Sequence, residues 1–404
     1  MPEKLKVLIV TERFYPEEFI VNDLAAEWAA GDFAVDVLTQ VPSYPFGKVF
    51  SGYSNRLFSP ESWKGINIFR FFTVTGYRDS LPLKLLNYLN FVITGTISAL
   101  IKARGYDRIF VYHTGPLTLA IPAVIVGKVY GIPVTIWTQD IWPDMVYAYG
   151  FRKTWLLSRF LDVLVGFVYR NCCNILVSCD GFRKSLAPYT KNREVLHFPN
   201  WPTVTPEMSV GSNVKLPSKL NFTFAGNIGK FQNLDNIIRG FAMVSAHNPN
   251  VQLNIVGDGS ELENLKGIVV KEEVRGVVFW GRKPQAEMPA YFSASDVMIV
   301  SLSNSPIFEL TVPAKFQAYL AFSKPIFAVI NGDVKAMVEK FGVGIWAAPQ
   351  DIEAIRDGFL KFCVQGPDGM SGYSLKAKEL LDTVYDRRKI IAGMTKVLGE
   401  SSKE

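Results

Sequence analysis

The chain reads as an α/β protein of two doubly wound domains, on three observations. Strand-like apolar runs alternate with helix-period segments along most of its 404 residues, the pattern of βαβ units and parallel sheets. The alternation lapses once, around residues 198–219, where Phe198-Pro-Asn-Trp-Pro-Thr-Val-Thr-Pro206 is followed by Gly211, Ser212 and Pro217, turn formers without period. The length also suits two or three units of roughly 100–200 residues each.

In the first half the predicted strands are Lys6–Val10, Val35–Thr39, Ile68–Phe72, Ile109–Tyr112, Val134–Trp137 and Ile175–Ser178. The apolar core of the first is about five residues, shorter than the 7–15 of a signal peptide. Helices are expected at Ile20–Ala30, Lys84–Lys102, Leu117–Tyr130 and Thr154–Cys172. The second series runs strand Asn221–Ala225, helix Leu234–Ala246, strand Gln252–Val256, helix Glu261–Val270, strand Val277–Phe279 and helix Met288–Ser295. Strands Val297–Leu302 and Ile326–Val329 follow, each leading into a helix. The expected boundaries are therefore 1–200, a linker at 201–219, and 220–385, with a last helix near 386–404 returning to the first domain. Two open sheets facing each other would make a cleft at their carboxyl ends, where such sheets bind ligands.

Composition narrows the class. Apolar residues at 49% and charged ones at 20% exclude a disordered or collagen-like chain. A balance of 43 basic to 37 acidic residues, net +6, argues against a nucleic-acid partner. The excess is uneven, with 21 basic and 16 acidic residues in 1–200 against 22 and 21 in 201–404. Residues 56–108 carry 8 basic to 3 acidic and 152–193 carry 8 to 2, interleaved with Phe, Leu, Trp and Tyr, a pattern suited to an anionic membrane surface. The longest greasy stretch, Leu117–Trp137, is broken by Pro122, Lys128, Gly131 and Pro133, so no spanning segment is expected. Four cysteines without disulfide or zinc spacing fit a reducing cytoplasm.

Three glycine- or proline-bearing loops carry chemistry. Gly226-Asn227-Ile228-Gly229-Lys230 leaves a strand just before a helix, where close backbone approach, unpaired N–H groups and a lysine would hold a diphosphate. A plain strand-to-helix turn with a solvated lysine explains the same residues, and both readings stay open. Gly257-Asp258-Gly259 ends the next strand and is also ordinary turn chemistry. Thr311-Val312-Pro313-Ala314-Lys315 opens a helix with a lysine set against the helix dipole, which suggests an anionic partner. No Asp-x-Asp occurs and His113, His197 and His247 are dispersed, so no metal site is expected.

These loops, with Gly281-Arg282, Tyr319-Leu-Ala, Phe14-Tyr-Pro16-Glu17, Pro42-Ser-Tyr44-Pro-Phe-Gly47 and Gln139-Asp140-Ile-Trp142-Pro143-Asp144, resemble family 4 glycosyltransferases of the GT-B fold. The similarity covers essentially the whole chain. It is strongest to the bacterial branch that builds O-antigen and capsule repeats, including N-acetyl-L-fucosamine transferases. The resemblance implies a retaining, metal-independent transfer from a UDP-sugar, with no cofactor, to a polyprenyl-diphosphate-linked saccharide. The enzyme would sit in the cytoplasm, peripheral on the anionic inner leaflet. It assigns the donor to the second domain, with Gly226, Asn227, Gly229 and Lys230 at the diphosphate, Gly257 and Gly259 beneath it, and Arg282 near the base. Lys315 would be a second phosphate cation in the Thr311-Val-Pro313 loop.

Departures from the family pattern bear on the site. The usual pair of glutamates with seven residues between them is replaced by Leu310 and Ala318, with Glu309 one place off, either sugar-facing or a solvated loop acid. Asn227 and Gln232 stand where many members carry Arg and Lys. In the first domain His113 is either structural or presented to the transferred sugar. Asp140 and Asp144, flanking Trp142, either contact acceptor hydroxyls or cap turns. Glu17, Glu18 and Tyr44 are candidates for acceptor contact. Segment 83–102 is either a buried crossover helix or an interfacial helix on lipid. A sugar-nucleotide epimerase and an inactive membrane-associated binding subunit remain as rival functions. A dehydrogenase lacks its dinucleotide fingerprint.

Overall fold

The computed structural model describes residues 4–78, 80–148, 150–191, 193–208 and 214–400. They form two compact units: Met1–Pro199 with Arg388–Glu404, and Asn200–Arg387. Residues 209–213 of the expected linker lie outside the described residues.

The first unit runs β1 (Leu5–Thr11), α1 (Ile20–Ala30), β2 (Phe33–Gln40), β3 (Phe58–Trp63), β4 (Ile66–Phe71), α2 (Leu81–Lys102), β5 (Arg108–His113), α3 (Ile121–Tyr130), β6 (Val134–Thr138), α4 (Asp144–Ala148), α5 (Trp155–Tyr169), β7 (Asn174–Val177), α6 (Phe182–Leu186) and β8 (Val195–His197). Its sheet has the order β3-β4-β2-β1-β5-β6-β7-β8 and is parallel apart from the antiparallel β3–β4 pair. Val7, Leu8, Ile9 and Val10 are fully buried, as an unbroken apolar run covered on both faces requires. β1 pairs β2 on one side and β5 on the other, so the strand order turns there.

Right-handed crossovers put α1 on one face of this sheet and α2, α3 and α5 on the other. α1 lies with the closing helix, because Trp28 Nε1 donates to Thr395 Oγ1 at 2.8 Å. The expected helix Leu117–Tyr130 is shortened: Leu117–Ala120 is a 3-10 turn and the α-helix begins at Ile121. Pro122 explains the boundary, since a residue without N–H is tolerated in a first turn and not in an interior. Conversely α2 begins three residues earlier than expected, with Pro82 in its first turn and Ser80 Oγ accepting from Leu83 N. At 22 residues α2 is long and apolar enough, by length and composition only, to cross a membrane. Among the described residues α2 is thus the helix that meets the length of a span, whereas the apolar run within 117–130 is too short to do so.

The second unit runs β9 (Leu220–Ala225), α7 (Leu234–Ser245), β10 (Val251–Val256), α8 (Leu262–Lys271), β11 (Val277–Gly281), α9 (Met288–Ala294), β12 (Val297–Ser301), α10 (Pro306–Glu309), α11 (Ala314–Ala321), β13 (Ile326–Val329), α12 (Asp333–Phe341), β14 (Gly344–Trp346), α13 (Ile352–Gly369) and α14 (Ser371–Val384). The last helix, α15 (Arg387–Glu400), belongs almost wholly to the first unit. The second sheet is parallel throughout, in the order β11-β10-β9-β12-β13-β14. One face is sealed by rings: Phe359 on α13 sits edge-on to Phe222 and Phe327 at 4.8 Å each and to Phe241 at 5.4 Å. Edge-to-face pairs of this kind add about 0.5–1.5 kcal/mol each beyond their burial.

Candidate functional site

In the second unit the order turns between β9 and β12, the position where open α/β sheets bind ligands. The loops leaving β9 and β10 are hydrogen-bonded to each other: Gly226 N to Val256 O at 2.9 Å, Ile228 N to Asp258 O at 2.9 Å and Glu261 N to Ile228 O at 3.0 Å. Gly257 has φ +148, and a Cβ there would stand 1.9 Å from Gly226 O; at Gly259 it would stand 2.3 Å from Ile228 O. Both glycines are thus required by contact between the two loops, whatever binds above them. The hydroxyl of Tyr319, buried on α11, accepts from Ala225 N and donates to Ala225 O, both at 3.0 Å. It fixes the last residue of β9.

Lys315 lies in the first turn of α11. Its Nζ sits 3.8 Å from the Phe224 ring centroid, 3.4 Å from where a Cβ on Gly226 would be, and donates to Gln232 Oε1 at 2.6 Å. Burial alone pulls its pKa from 10.5 to about 7. A neutral amide and an aromatic face hold an ammonium in place without neutralising it. Lys230, by contrast, is exposed on the short turn Lys230–Gln232. Asn227 and Gly226 are exposed beside it, and Asn227 Nδ2 would lie 2.8 Å from a Cβ on Gly229.

The rest of the predicted donor set lies around this centre. Arg282 is exposed just beyond β11, next to Gly281, whose carbonyl accepts from Gly257 N at 2.9 Å. Thr311 Oγ1 donates to Phe308 O at 3.0 Å, and Pro313 is the extended residue preceding α11. Glu309 ends α10 half-buried, its carbonyl so close to Gly332 that a Cβ there would stand 1.8 Å away. Ala318 is buried within the core that includes Phe316 and Tyr319, and Leu310 is half-buried. The two positions aligned with the paired glutamates therefore carry apolar side chains.

In the first unit the corresponding turn lies between β1 and β5. His113, at the end of β5, is fully buried, with Nε2 2.9 Å from Gly115 O. Burial lowers its pKa to about 4, so at neutral pH Nε2–H donates to that carbonyl. Nδ1 keeps its lone pair and has no hydrogen-bond partner among the described residues. Glu12 Oε2 is likewise buried without a hydrogen-bond partner among the described residues and would lie 3.0 Å from a Cβ on Gly115. Arg13 Nη2 is 3.6 Å from Glu12 Oε1, and its guanidinium stacks 3.8 Å over the Tyr44 ring. Burial opposes the Arg13 charge, but Glu12, Tyr77 and Glu17 outweigh it and raise its pKa.

Glu17 braces a loop. Its Oε1 accepts from Ser43 N at 2.9 Å and Tyr44 N at 2.7 Å, holding the segment that presents Tyr44. Burial raises its pKa, and those two N–H groups oppose the rise. On the neighbouring strand end Gln139 N donates to His113 O at 2.9 Å, which brings Asp140 beside the histidine's chain. Burial pushes the Asp140 carboxyl up to about 6. Trp142 is half-buried, and Asp144 is exposed at the start of α4, its pKa raised by burial and lowered by Lys153. Glu12, Arg13 and Tyr319 escape sequence reading as site residues. Glu12 and Arg13 sit in no spaced motif, and Tyr319 stands in Tyr319-Leu-Ala without a role of its own until its hydroxyl is seen on Ala225.

Residues 211–367 match the family described as Glycosyl transferases group 1. A probable glycosyltransferase, WbjE of Pseudomonas aeruginosa, is 24% identical over 253 residues, which are 60% of this chain and 62% of that protein. Among solved structures, the E. coli trehalose-6-phosphate protein bound with UDP-2-fluoro glucose superposes with a TM-score of 0.73 at 10% identity, over 99% of this chain and 100% of that one. WaaG, a glycosyltransferase involved in lipopolysaccharide biosynthesis, superposes at 0.63 with 14% identity, over 98% and 100%. At these identities the likeness is one of fold, and the fold is that of the GT-B glycosyltransferases.

Proposed function

We propose that the chain is a glycosyltransferase that moves a sugar from a UDP donor held by the second unit. The observation that carries this reading is Lys315, an ammonium without a carboxylate partner among the described residues, at the turn of the sheet over Phe224 and against the Gln232 amide. Such a cation is stabilised when an anion arrives. The family matched over 211–367 and a structural neighbour carrying a UDP-sugar analogue make a nucleoside diphosphate the fitting anion. As the sugar–phosphate bond breaks, the leaving diphosphate gains charge, and Lys315, Lys230 and the N-terminal turn of α11 stabilise it.

The finer reading is retention without a metal. A leaving phosphate oxygen can take the acceptor's proton on the same face, so no strong base is needed. This suits a neutral His113, which holds no proton to deliver near pH 7. The expected sugar is N-acetyl-L-fucosamine or a related N-acetylated hexosamine. The expected acceptor is a polyprenyl-diphosphate-linked saccharide of O-antigen or capsule synthesis, met on the cytoplasmic side of the membrane. WbjE, a probable glycosyltransferase, supports the transferase reading, and WaaG, involved in lipopolysaccharide biosynthesis, supports the polysaccharide context.

Thermal-shift measurements with UDP, GDP, dTDP and their sugars test the donor, UDP being expected to raise Tm most. Incubation of the preferred donor with and without the lipid-linked acceptor tests the reaction. Product only with acceptor supports transfer. An isomerised or hydrolysed donor without acceptor selects the epimerase reading instead. Full turnover by Lys230→Ala at subsaturating donor would remove Lys230 from the diphosphate.

A further inference from the structure

The three helices on one side of the first sheet present an outer surface that is greasier than a soluble protein's ordinarily is. On α2 the residues facing inward are Asn87, Phe91, Gly95 and Ala99, four apart and mostly small or polar. The residues facing outward are Leu85, Leu89, Ile93, Ile97 and Ile101, also four apart, and exposed by 51, 54, 51, 55 and 71%. The helix thus carries its larger apolar side chains on the solvent side, the reverse of a surface helix packed on a sheet. On α5 a second stripe repeats this: Leu156, Phe160, Val163 and Phe167 follow at spacings of three and four, and Trp155 at its start is 81% exposed. Val129 and Tyr130 close the gap between them at the end of α3. Tyr130 OH donates to Leu100 O of α2 at 2.7 Å, and Lys128 Nζ lies 5.6 Å from the Phe167 ring centroid of α5.

Charge says what covers this surface. Residues 81–102, 121–130 and 151–170 contain seven basic side chains, Lys84, Lys102, Lys128, Arg152, Lys153, Arg159 and Arg170, and one acidic, Asp162. That single acid already accepts from Tyr189 OH at 2.6 Å. A broad apolar stripe bordered by cations of one sign matches a bilayer interface with anionic headgroups. We propose that the α2–α3–α5 face is a docking surface for an anionic lipid bilayer, with α5 entering the interface beside α2 through Trp155, Leu156 and Phe160. α2 lies along the membrane rather than across it, because Asn87 on its inner face is tied to Gln40, Thr73 and Val74 of the sheet side. The proposal deepens the transfer reading, on which it rests for the lipid-linked acceptor.

The test is vesicle co-sedimentation of the full chain with phosphatidylcholine alone and with about 30 mol % phosphatidylglycerol. The proteins are wild type, Leu89→Glu/Ile93→Glu on α2, Leu156→Glu/Phe160→Glu on α5, and Val364→Glu, an exposed apolar site on the second unit, as control. Wild type and control should partition onto the anionic vesicles and little onto phosphatidylcholine, with each double variant weaker by about tenfold. All four should melt alike, since the substituted side chains are exposed. Partitioning of both double variants within about twofold of wild type overturns the proposal. So does a wild-type dimer that these variants split without changing vesicle binding, which would make the face a self-association surface. Transfer to a water-soluble acceptor is measured in parallel. A protein that partitions normally yet transfers nothing defeats the functional reading and leaves the surface standing, and the converse result separates the two equally well.

Discussion

Lys315 makes donor binding a proton-linked event, and its size follows from the geometry. Burial of the ammonium against Phe224 and Gln232 lowers its pKa from 10.5 to about 7, roughly 5 kcal/mol of lost preference for the charged form. At pH 7 about half the free protein is therefore neutral there. A diphosphate beside Nζ restores the charge, so binding takes up about half a proton at pH 7. Above pH 7 the free protein must first be protonated, and affinity falls with pH, by about 30-fold or ~2 kcal/mol between pH 6 and 8.5. Without ligand the sign is opposite: a base whose folded pKa lies below its unfolded value costs stability at low pH, and that cost disappears as pH rises from about 7 toward 10.5. Lys315→Met should accordingly stabilise the unliganded protein at pH 6 while weakening UDP binding. Calorimetric titration of UDP in two buffers of different ionisation enthalpy, with Lys315→Met as the blank for the nucleotide's own phosphate, reads the proton directly. Identical proton uptake and identical pH slopes in the two proteins would refute the reasoning.

Two further outcomes follow from single side chains. Gly257→Ala places a methyl 1.9 Å from Gly226 O at φ +148 and should cost about 3–5 kcal/mol from backbone strain and overpacking. Calorimetry should show a lower melting temperature for the second unit and loss of UDP binding, and a Tm within a degree or so of wild type would sink the loop-contact explanation. Asp140, raised to about 6 by burial, destabilises the folded state once ionised. The wild type should lose stability as pH rises from about 4 to 6, by about 3 kcal/mol at most. Asp140→Asn should remove that slope in denaturation curves taken at pH 4 and 8, and parallel slopes would count against it.

The sequence signals that proved informative were those with a local physical cause. Ile20–Ala30 is a helix as expected, because its apolar period is regular and Gly31 follows it. β3 went unseen: its burial alternates only between exposed and intermediate, Pro60 interrupts it, and it is an edge strand stabilised by pairing with β4 rather than by its own residues. α13 and α14 had no motif to single them out, although Phe359 and Phe362 are among the largest contributors to the second core. The glycine loops were legible as a set, yet the reason Gly257 and Gly259 must be glycine is a neighbouring backbone more than 25 residues earlier, invisible to any local window. Likewise Lys315 was legible as a cation at a helix start, whereas its Gln232 partner lies 83 residues away. Glu17 was legible as a candidate acid, whereas its anchoring of the Ser43–Tyr44 loop is visible only in the register of two backbone N–H groups.

The return of α15 to the first unit has a consequence for how the chain matures. Trp28 bonds to Thr395, and Arg108 donates to the carbonyls of Leu398 and Gly399 at 3.0 and 3.1 Å. On the ribosome the whole of Asn200–Arg387 emerges between the two pieces of that surface. The half synthesised first is thus the last to be finished. Until α15 arrives, it waits with Trp28 uncovered, while the later half already holds all its own strands and can close at once.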